Sequence, residues 1–199
     1  MFKQMIKKSI HKSQHCNRNW DLSKDIPQED IDLIVESATQ CPAKQNLNFY
    51  KTHVITNRDK IKKIHSHTQG FELNGKFETN PQTLANLLLV FTKDHPKARR
   101  TETEVKHGSK TGSFHDDRLQ ATGIAVGYAN LVSTMLGYET GCCKCFDSDE
   151  VAKELNGEEP VLMMGIGYPD SNRSRLEHHN DPSIKFPSFK NKRQVVFHA

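Results

Sequence analysis

The stretch "TGIAVGYANLVSTMLGYETGCCKCFD", Thr122 to Asp147, decides the architecture. Ile124, Ala125, Ala129, Leu131, Val132 and Leu136, with Leu119 upstream in "DDRLQA", recur at helical spacing. They predict one long helix, apolar on most sides and buried at the centre of the fold. Gly123, Gly127 and Gly137 each cost about 1 kcal/mol relative to alanine in a helix, so close packing or a ligand is expected to account for them. Beyond "LGYE" the chain sets Cys142, Cys143 and Cys145 within four positions. A C-x-x-C pair can clip a metal or act as a dithiol. Zinc needs two more ligands, and the sequence has no second C-x-x-C to supply them. A thioredoxin-like pair opens a helix directly after an early strand, whereas this one follows the long helix.

Outward from this stretch, "LANLLLVFTKD" carries a continuous apolar run, Leu87 to Phe91, and reads as a buried strand. "PVLMMGIGYPD" reads as a strand ending in a Gly-Tyr-Pro turn, and "FYKTHVIT", Phe49 to Thr56, as an alternating one. "FKQMIKKSIHKS" places Phe2, Ile6 and Ile10 on one helical face. "DIPQEDIDLIVESATQCPA" starts a helix at Pro27 and stops it at Pro42. "NRDKIKKIHSHT" reads as a short charged helix, "SDEVAKELN" as a helix capped by Ser148, and "RQVVFH" as a short extended segment. "GFELNGKFETN" reads as a loop, and the polar segment between "FTKD" and the long helix is left without regular structure. With no repeat and no linker, residues 1–199 are expected to form one domain in which helices flank a sheet.

The balance of 28 basic against 24 acidic residues is spread along the chain. A net charge of +4 favours a small anionic ligand and gives no stripe suited to nucleic acid. No apolar run approaches the roughly 20 residues that span a bilayer, and the basic N-terminus lacks a signal peptide's apolar centre. A cytoplasmic protein without membrane partners, its five cysteines reduced, is expected. His178 and His179 in "LEHHND" are assigned no role.

Four segments in order, "HCNRNWD" (His15 to Asp21), "CPAKQNLNFY" (Cys41 to Tyr50), the opening stretch, and "LMMGIGYPD" followed by "KNKR", resemble the nitroreductase family of flavoproteins. The resemblance implies an α+β fold: a three-layer α/β/α sandwich around a mixed, mainly antiparallel sheet, built as an intertwined homodimer. It implies FMN as cofactor, two flavin sites at the subunit interface, and NAD(P)H as reductant. FMN brings a dianionic phosphate, a polar ribityl chain and a flat ring with a hydrogen-bonding edge, so cations, edge donors and small or apolar neighbours are required.

On the same resemblance, Gln14, His15 and Cys16 stand at the phosphate and ribityl positions, with Arg18 at the ring edge where negative charge develops on reduction. Gln14 lacks the charge usual there, and Cys16 is a weak donor in place of a hydroxyl. Lys192 and Arg193 in "KNKR" are the remaining phosphate cations, with Lys190 able to take one place. Pro42, Ala43, Lys44 and Asn46 occupy a segment that reaches the flavin from the second subunit, without the two serines usual there. Asn80 faces the ring. Lys144 and Cys145 occupy the loop whose peptide N–H donates to flavin N5, a contact insensitive to the side chain. Cys145 in place of glycine narrows the substrate space, and the 92–115 region is expected to form the acceptor pocket.

The implied activity takes hydride from NADH or NADPH onto the flavin and passes it to a small nitroaromatic or quinone-like acceptor by a ping-pong mechanism. No protein side chain serves as catalytic acid or nucleophile. The alternative is a flavin-binding protein of the same fold with little turnover.

Overall fold

The computed structural model describes residues 2–73, 75–94, 114–186 and 194–197. Its elements run α1 (Phe2–Ser13), β1 (Trp20–Asp21), α2 (Gln28–Thr39), β2 (Tyr50–Ile55), α3 (Arg58–Ser66), β3 (Phe71–Leu73), β4 (Lys76–Glu78) and β5 (Leu87–Lys93). After these come α4 (Phe114–Met135), β6 (Glu139–Cys143), α5 (Ser148–Glu154) and β7 (Pro160–Pro169), with short 3-10 turns at Lys44–Asn46 and Pro81–Leu84. The main sheet has the order β1-β7-β5-β2, and β6 pairs with β7 on the same side as β1. All its ladders among the described residues are antiparallel.

The continuous apolar run of β5 has a simple cause: both of its faces are covered. Leu87, Leu89 and Phe91 pack with Met164 and Ile166 of β7 against Ile31, Ile34 and Ala38 of α2 and Ala125, Val126 and Ala129 of α4. On the opposite face Leu88, Val90 and Met163 meet Ile61 and Ile64 of α3 and Val151 and Leu155 around α5. Helices therefore lie on both sides of the sheet, giving the three layers expected.

Two local expectations are corrected. "GFELNGKFETN" is a hairpin, β3 to β4, in which Leu73 opposes Lys76 and Gly75 takes φ 74°. Its Asn-Gly pair is the residue choice that a two-residue hairpin connection favours. The cap of α5 is Asp147, whose side chain accepts from the N–H groups of Asp149 and Glu150, so Ser148 is already helical. Gln194–Phe197, the described part of "RQVVFH", is exposed and pairs with no strand among the described residues.

The long helix departs from its expected burial in an informative way. Its inner face is made of small and polar residues, Ala121, Thr122, Ala125, Ala129 and Ser133, which let it lie close to the sheet. Ile124 (39% exposed), Tyr128 (48%) and Met135 (37%) form an outer apolar stripe, and Leu119 (44%) is exposed near the start of the helix. Gly123 and Gly127 lie on that outer side, and a Cβ at either would meet nothing within 4 Å. Packing within this chain therefore does not account for these two glycines.

Candidate functional site

The site is built on the outer edge of β6. Alternate residues of an antiparallel edge strand turn their backbone groups toward the partner strand and away from it. Thr140 turns outward, its carbonyl accepting from Asn17 N at 2.7 Å. Cys142, two residues on, presents its carbonyl to Cys16 Sγ at 4.0 Å. Residues 16–17 thus run beside β6. Asn130 of α4 fixes them there, donating to Ser13 O at 2.8 Å while its side-chain oxygen accepts from Thr140 Oγ1 at 2.7 Å.

Two buried asparagines flank Arg18 and hold its backbone. Asn17 Nδ2 donates to Asn19 O at 2.8 Å, and Asn19 Nδ2 donates to Ser174 O and Glu177 O at 2.7 and 2.9 Å. The Arg18 guanidinium lies 4.0 Å from the Phe186 ring centre, with Nη1 donating weakly to Cys16 O (3.4 Å) and Arg175 O (3.5 Å). Its Nε is buried and bonded to nothing, and among the described residues no carboxylate pairs with it. Burial lowers its pKa, yet an arginine stays charged. A part-buried cation without a counter-charge is what an anion or a polar ring edge would satisfy.

A second wall comes from the 3-10 turn Pro81–Leu84, which crosses β6 and β7 where both carry glycine. A Cβ at Gly141 would lie 2.7 Å from Asn17 O and 2.9 Å from Gln82 Cβ; one at Gly165 would lie 2.0 Å from Gln82 O. Asn80, at the start of this turn, donates through Nδ2 to Gln69 O and to Cys145 O (3.4 Å). Gln69 N donates to Cys145 O at 2.8 Å and Asp147 N to His67 O at 2.9 Å, so the 144–147 loop is pinned to the end of α3. The Cys145 carbonyl is thereby committed inward, while its N–H donates to no group among the described residues. Lys144 Nζ folds back onto Val161 O at 2.7 Å, which leaves its peptide rather than its charge at the edge.

Among the described residues, the cysteine cluster included, no group of three His, Cys, Asp or Glu side chains is placed to hold an ion. Burial raises the Cys16 thiol. Cys142 is pushed up to about 12, first by desolvation of its sulfur and then by the neighbouring Cys16 and Cys143, although the residue's overall surface is open. Protonated thiols are poor nucleophiles and ligands, so the pair is chemically quiet near neutral pH.

Cys16, with Arg18 beside it, thus lies along the outer edge of β6, and Asn80 meets the 144–147 loop that continues that strand. His15 adjoins them, its pKa lowered by burial and then by Arg175. Gln14 turns back onto its own helix, donating to His11 O at 3.0 Å. Pro42, Ala43, Lys44 and Asn46 lie elsewhere, on the turn after α2, where Lys44 pairs with Asp117 of α4 at 2.8 Å. Lys192 and Arg193, and Lys190 beside them, lie outside the described residues, as do positions 95–113 of the expected acceptor pocket. Asn17, Asn19, Gln82, Arg175 and Phe186 were not anticipated. The "NRN" sandwich of Arg18 between two asparagines was a usable signal for the first two.

Behind the site, His65 bonds Thr83 Oγ1 through Nδ1 and Thr79 Oγ1 through Nε2, both at 2.9 Å, and its ring meets that of His179 edge-on. Burial depresses both His65 and His179 to about 4. A depressed histidine favours the folded state above its unfolded pKa of 6.5, and that contribution is lost as pH falls toward 4. Urea unfolding at pH 7.5 and pH 4.5 is expected to show a loss on the order of 2 kcal/mol, after discounting for partial exposure. Replacing both histidines with glutamine should flatten this dependence.

Residues 12–168 match the model of the nitroreductase family. No curated protein sequence matches. A nitroreductase family protein of Streptococcus pneumoniae superposes with a TM-score of 0.65 at 17% identity, covering 96% of each chain. One from Clostridium novyi gives 0.64 at 17% identity over 86% of this chain and 89% of that one. An FMN-dependent nitroreductase of Clostridium difficile gives 0.59 at 17% identity, covering 89% of this chain and 95% of that one. With the family model spanning most of the sequence and the same fold in these structures, the chain belongs to the nitroreductase family.

Proposed function

We propose that this protein is an FMN-dependent oxidoreductase that uses NAD(P)H to reduce a small nitroaromatic or quinone-like acceptor. The observation that carries this reading is Arg18, part-buried with an unpartnered Nε at the edge that also presents the Cys145 N–H. This donor set fits a flavin's hydrogen-bonding edge, and Asn80 adds an amide beside it. FMN, when bound, supplies the acceptance of hydride from a nicotinamide and its return to an acceptor.

The chain's own residues position and polarise. Arg18 places a fixed positive charge, held by Asn17 and Asn19, where electron density would accumulate, and needs no reorganisation to do so. The Cys145 N–H is aimed by the anchored loop and offers a donor whose strength does not depend on its side chain. His15 stands at the ribityl and phosphate end, with Lys192 and Arg193 as further cations there. Cys16 offers only a weak donor. Pro42, Ala43, Lys44 and Asn46 would be contributed by a second copy, which is why they lie apart from Arg18 in one chain.

Support for that second copy comes from α4, whose outer stripe of Ile124, Tyr128 and Met135 is apolar and lies beside two open glycines. Small residues on such a face allow close helix approach, so a homodimer would account for glycines that the single chain does not explain. No helix among the described residues is long and apolar enough to cross a membrane.

A binder with little turnover is the second reading, favoured by Gln14, whose amide is spent on His11 O and brings no charge. NADPH oxidation with a quinone or nitroaromatic acceptor separates the two: rapid turnover supports the enzyme, and flavin binding without turnover supports the binder. The backbone reading of the cysteine loop has its own test. Cys142→Ser should leave the FMN dissociation constant within about twofold, since it removes no edge donor. Cys145→Pro, which deletes the N–H, should slow reduction of the bound flavin by about 10- to 100-fold, the range for one preorganised donor. A serine variant that loses flavin would overturn the assignment to the peptide group.

A further inference from the structure

We propose that Asp117 is a positioning residue for the flavin site: through Lys44 it holds the Pro42–Asn46 turn in the conformation that the turn presents to the flavin of a second copy. The inference rests on the flavin reading above and adds a residue that lies outside the four segments of the resemblance. Among the described residues, Gln45 (φ 53°, ψ 21°), Asn46 (φ 54°) and Asn156 (φ 57°) are the non-glycine residues in the left-handed region. Asn156 follows the last turn of α5, where Gly157 N donates to Ala152 O at 2.8 Å, a common way of ending a helix. Gln45 and Asn46 have no such explanation: they are consecutive, and both are exposed. A left-handed residue with a Cβ costs free energy, which asparagine tolerates better than glutamine. Exposed side chains bring little packing to offset that cost.

The turn is held from outside instead. At its base Cys41 Sγ lies 3.2 Å from the Tyr50 hydroxyl, which donates to Ala38 O at 2.6 Å. Arg118, buried in the first turns of α4, donates through Nε to Phe49 O and through Nη2 to Asp94 O, both at 3.0 Å. The start of α4 is thereby fixed to the strand that leaves the turn. Asp117, next to this anchor, accepts from Lys44 Nζ on both carboxylate oxygens, at 2.8 and 3.1 Å. Its side chain is 13% exposed against 51% for that of Lys44, so the carboxylate is the fixed end of the pair. Within the turn Asn46 N donates to Ala43 O at 3.0 Å and Leu47 N to Lys44 O at 3.1 Å, so the hold on Lys44 acts on both sides of the two strained residues. Strain that surrounding structure keeps in place is a mark of segments that clamp a ligand. The pair also cancels the charge of Lys44, so the turn offers a flavin its peptide groups and the Asn46 amide rather than a cation.

The test is a double-mutant cycle with a reversed pair. Dissociation constants of FMN, from quenching of flavin fluorescence, and urea midpoints of the flavin-free protein are compared for the wild type, Asp117→Asn, Lys44→Met and the two together. Lys44→Glu combined with Asp117→Lys completes the set. Each single change and the double change are expected to weaken FMN by the same factor, about 3- to 10-fold, because all three break one bond. The reversed pair should recover most of the affinity, and the flavin-free midpoint should move little throughout. The proposal is overturned by unchanged affinity in Asp117→Asn, by an effect of Asp117→Asn that persists when Lys44 is already methionine, or by a reversed pair that recovers nothing. A lowered midpoint with FMN affinity intact makes the pair a structural tie and overturns it as well. Wild-type protein that binds no FMN overturns the flavin reading, and this assignment with it.

Discussion

Gly165→Ala is expected to destabilise the protein by about 3 kcal/mol or more, at or beyond the upper end of the usual cost of overpacking. The new Cβ would lie 2.0 Å from Gln82 O and 2.9 Å from Ala85 Cβ, and the first of these is backbone that no rotamer change can move. Relief requires lifting the Pro81–Leu84 turn off β7, which also displaces Asn80 and takes its amide off the Cys145 carbonyl. For a chain of this size the thermal midpoint should fall by roughly 6–12 °C. Gly123→Ala is the control, since its Cβ meets nothing and α4 gains about 1 kcal/mol of helix propensity. If the α4 stripe is a self-association surface, that same control should weaken dimerisation in sedimentation measurements. An unmoved midpoint in Gly165→Ala would show that the turn does not cross the sheet as closely as described.

Arg18→Met should separate stability from binding. Methionine keeps most of the apolar contact with Phe186 but removes the charge and all five donors. Charge-assisted hydrogen bonds contribute about 1.5–3 kcal/mol, so FMN affinity is expected to fall about 10- to 100-fold, with riboflavin affected alike because the loss is at the ring. The flavin-free protein should be as stable as the wild type or slightly more so, since a part-buried guanidinium whose Nε is unpartnered is being removed. Titration calorimetry with FMN and urea unfolding without it check the two halves. Unchanged FMN affinity would remove Arg18 from the site.

The contrast between these two residues reflects what the sequence could convey. β5 and β7 were legible because burial on both faces leaves a continuous apolar run between polar ends, and α4 because its periodicity is long. Periodicity reports which faces are apolar, however, and not what covers them. The outer stripe of α4 therefore reads as core in the sequence, whereas within this chain it faces solvent. The β3–β4 hairpin is hidden in the sequence because an Asn-Gly pair marks a turn without naming the strands that pair across it. Arg18 is marked as a candidate by its place in an ordered set of motifs, whereas the nearness of Arg175 to it depends on Asn19 clamping a loop more than 150 residues away in the chain. The cysteine cluster draws attention to its sulfurs, whereas burial raises the thiols of Cys142 and Cys143 and leaves them quiet near neutral pH.

The central claim is that this edge holds a redox-active flavin. It is tested most directly by the visible spectrum of protein incubated with FMN, passed through a desalting column, and then given NADPH or NADH without oxygen. The account predicts retained flavin absorbance that bleaches on addition of a nicotinamide and returns with a quinone. Colourless protein after desalting, together with no quenching of FMN fluorescence at saturating protein, would contradict it.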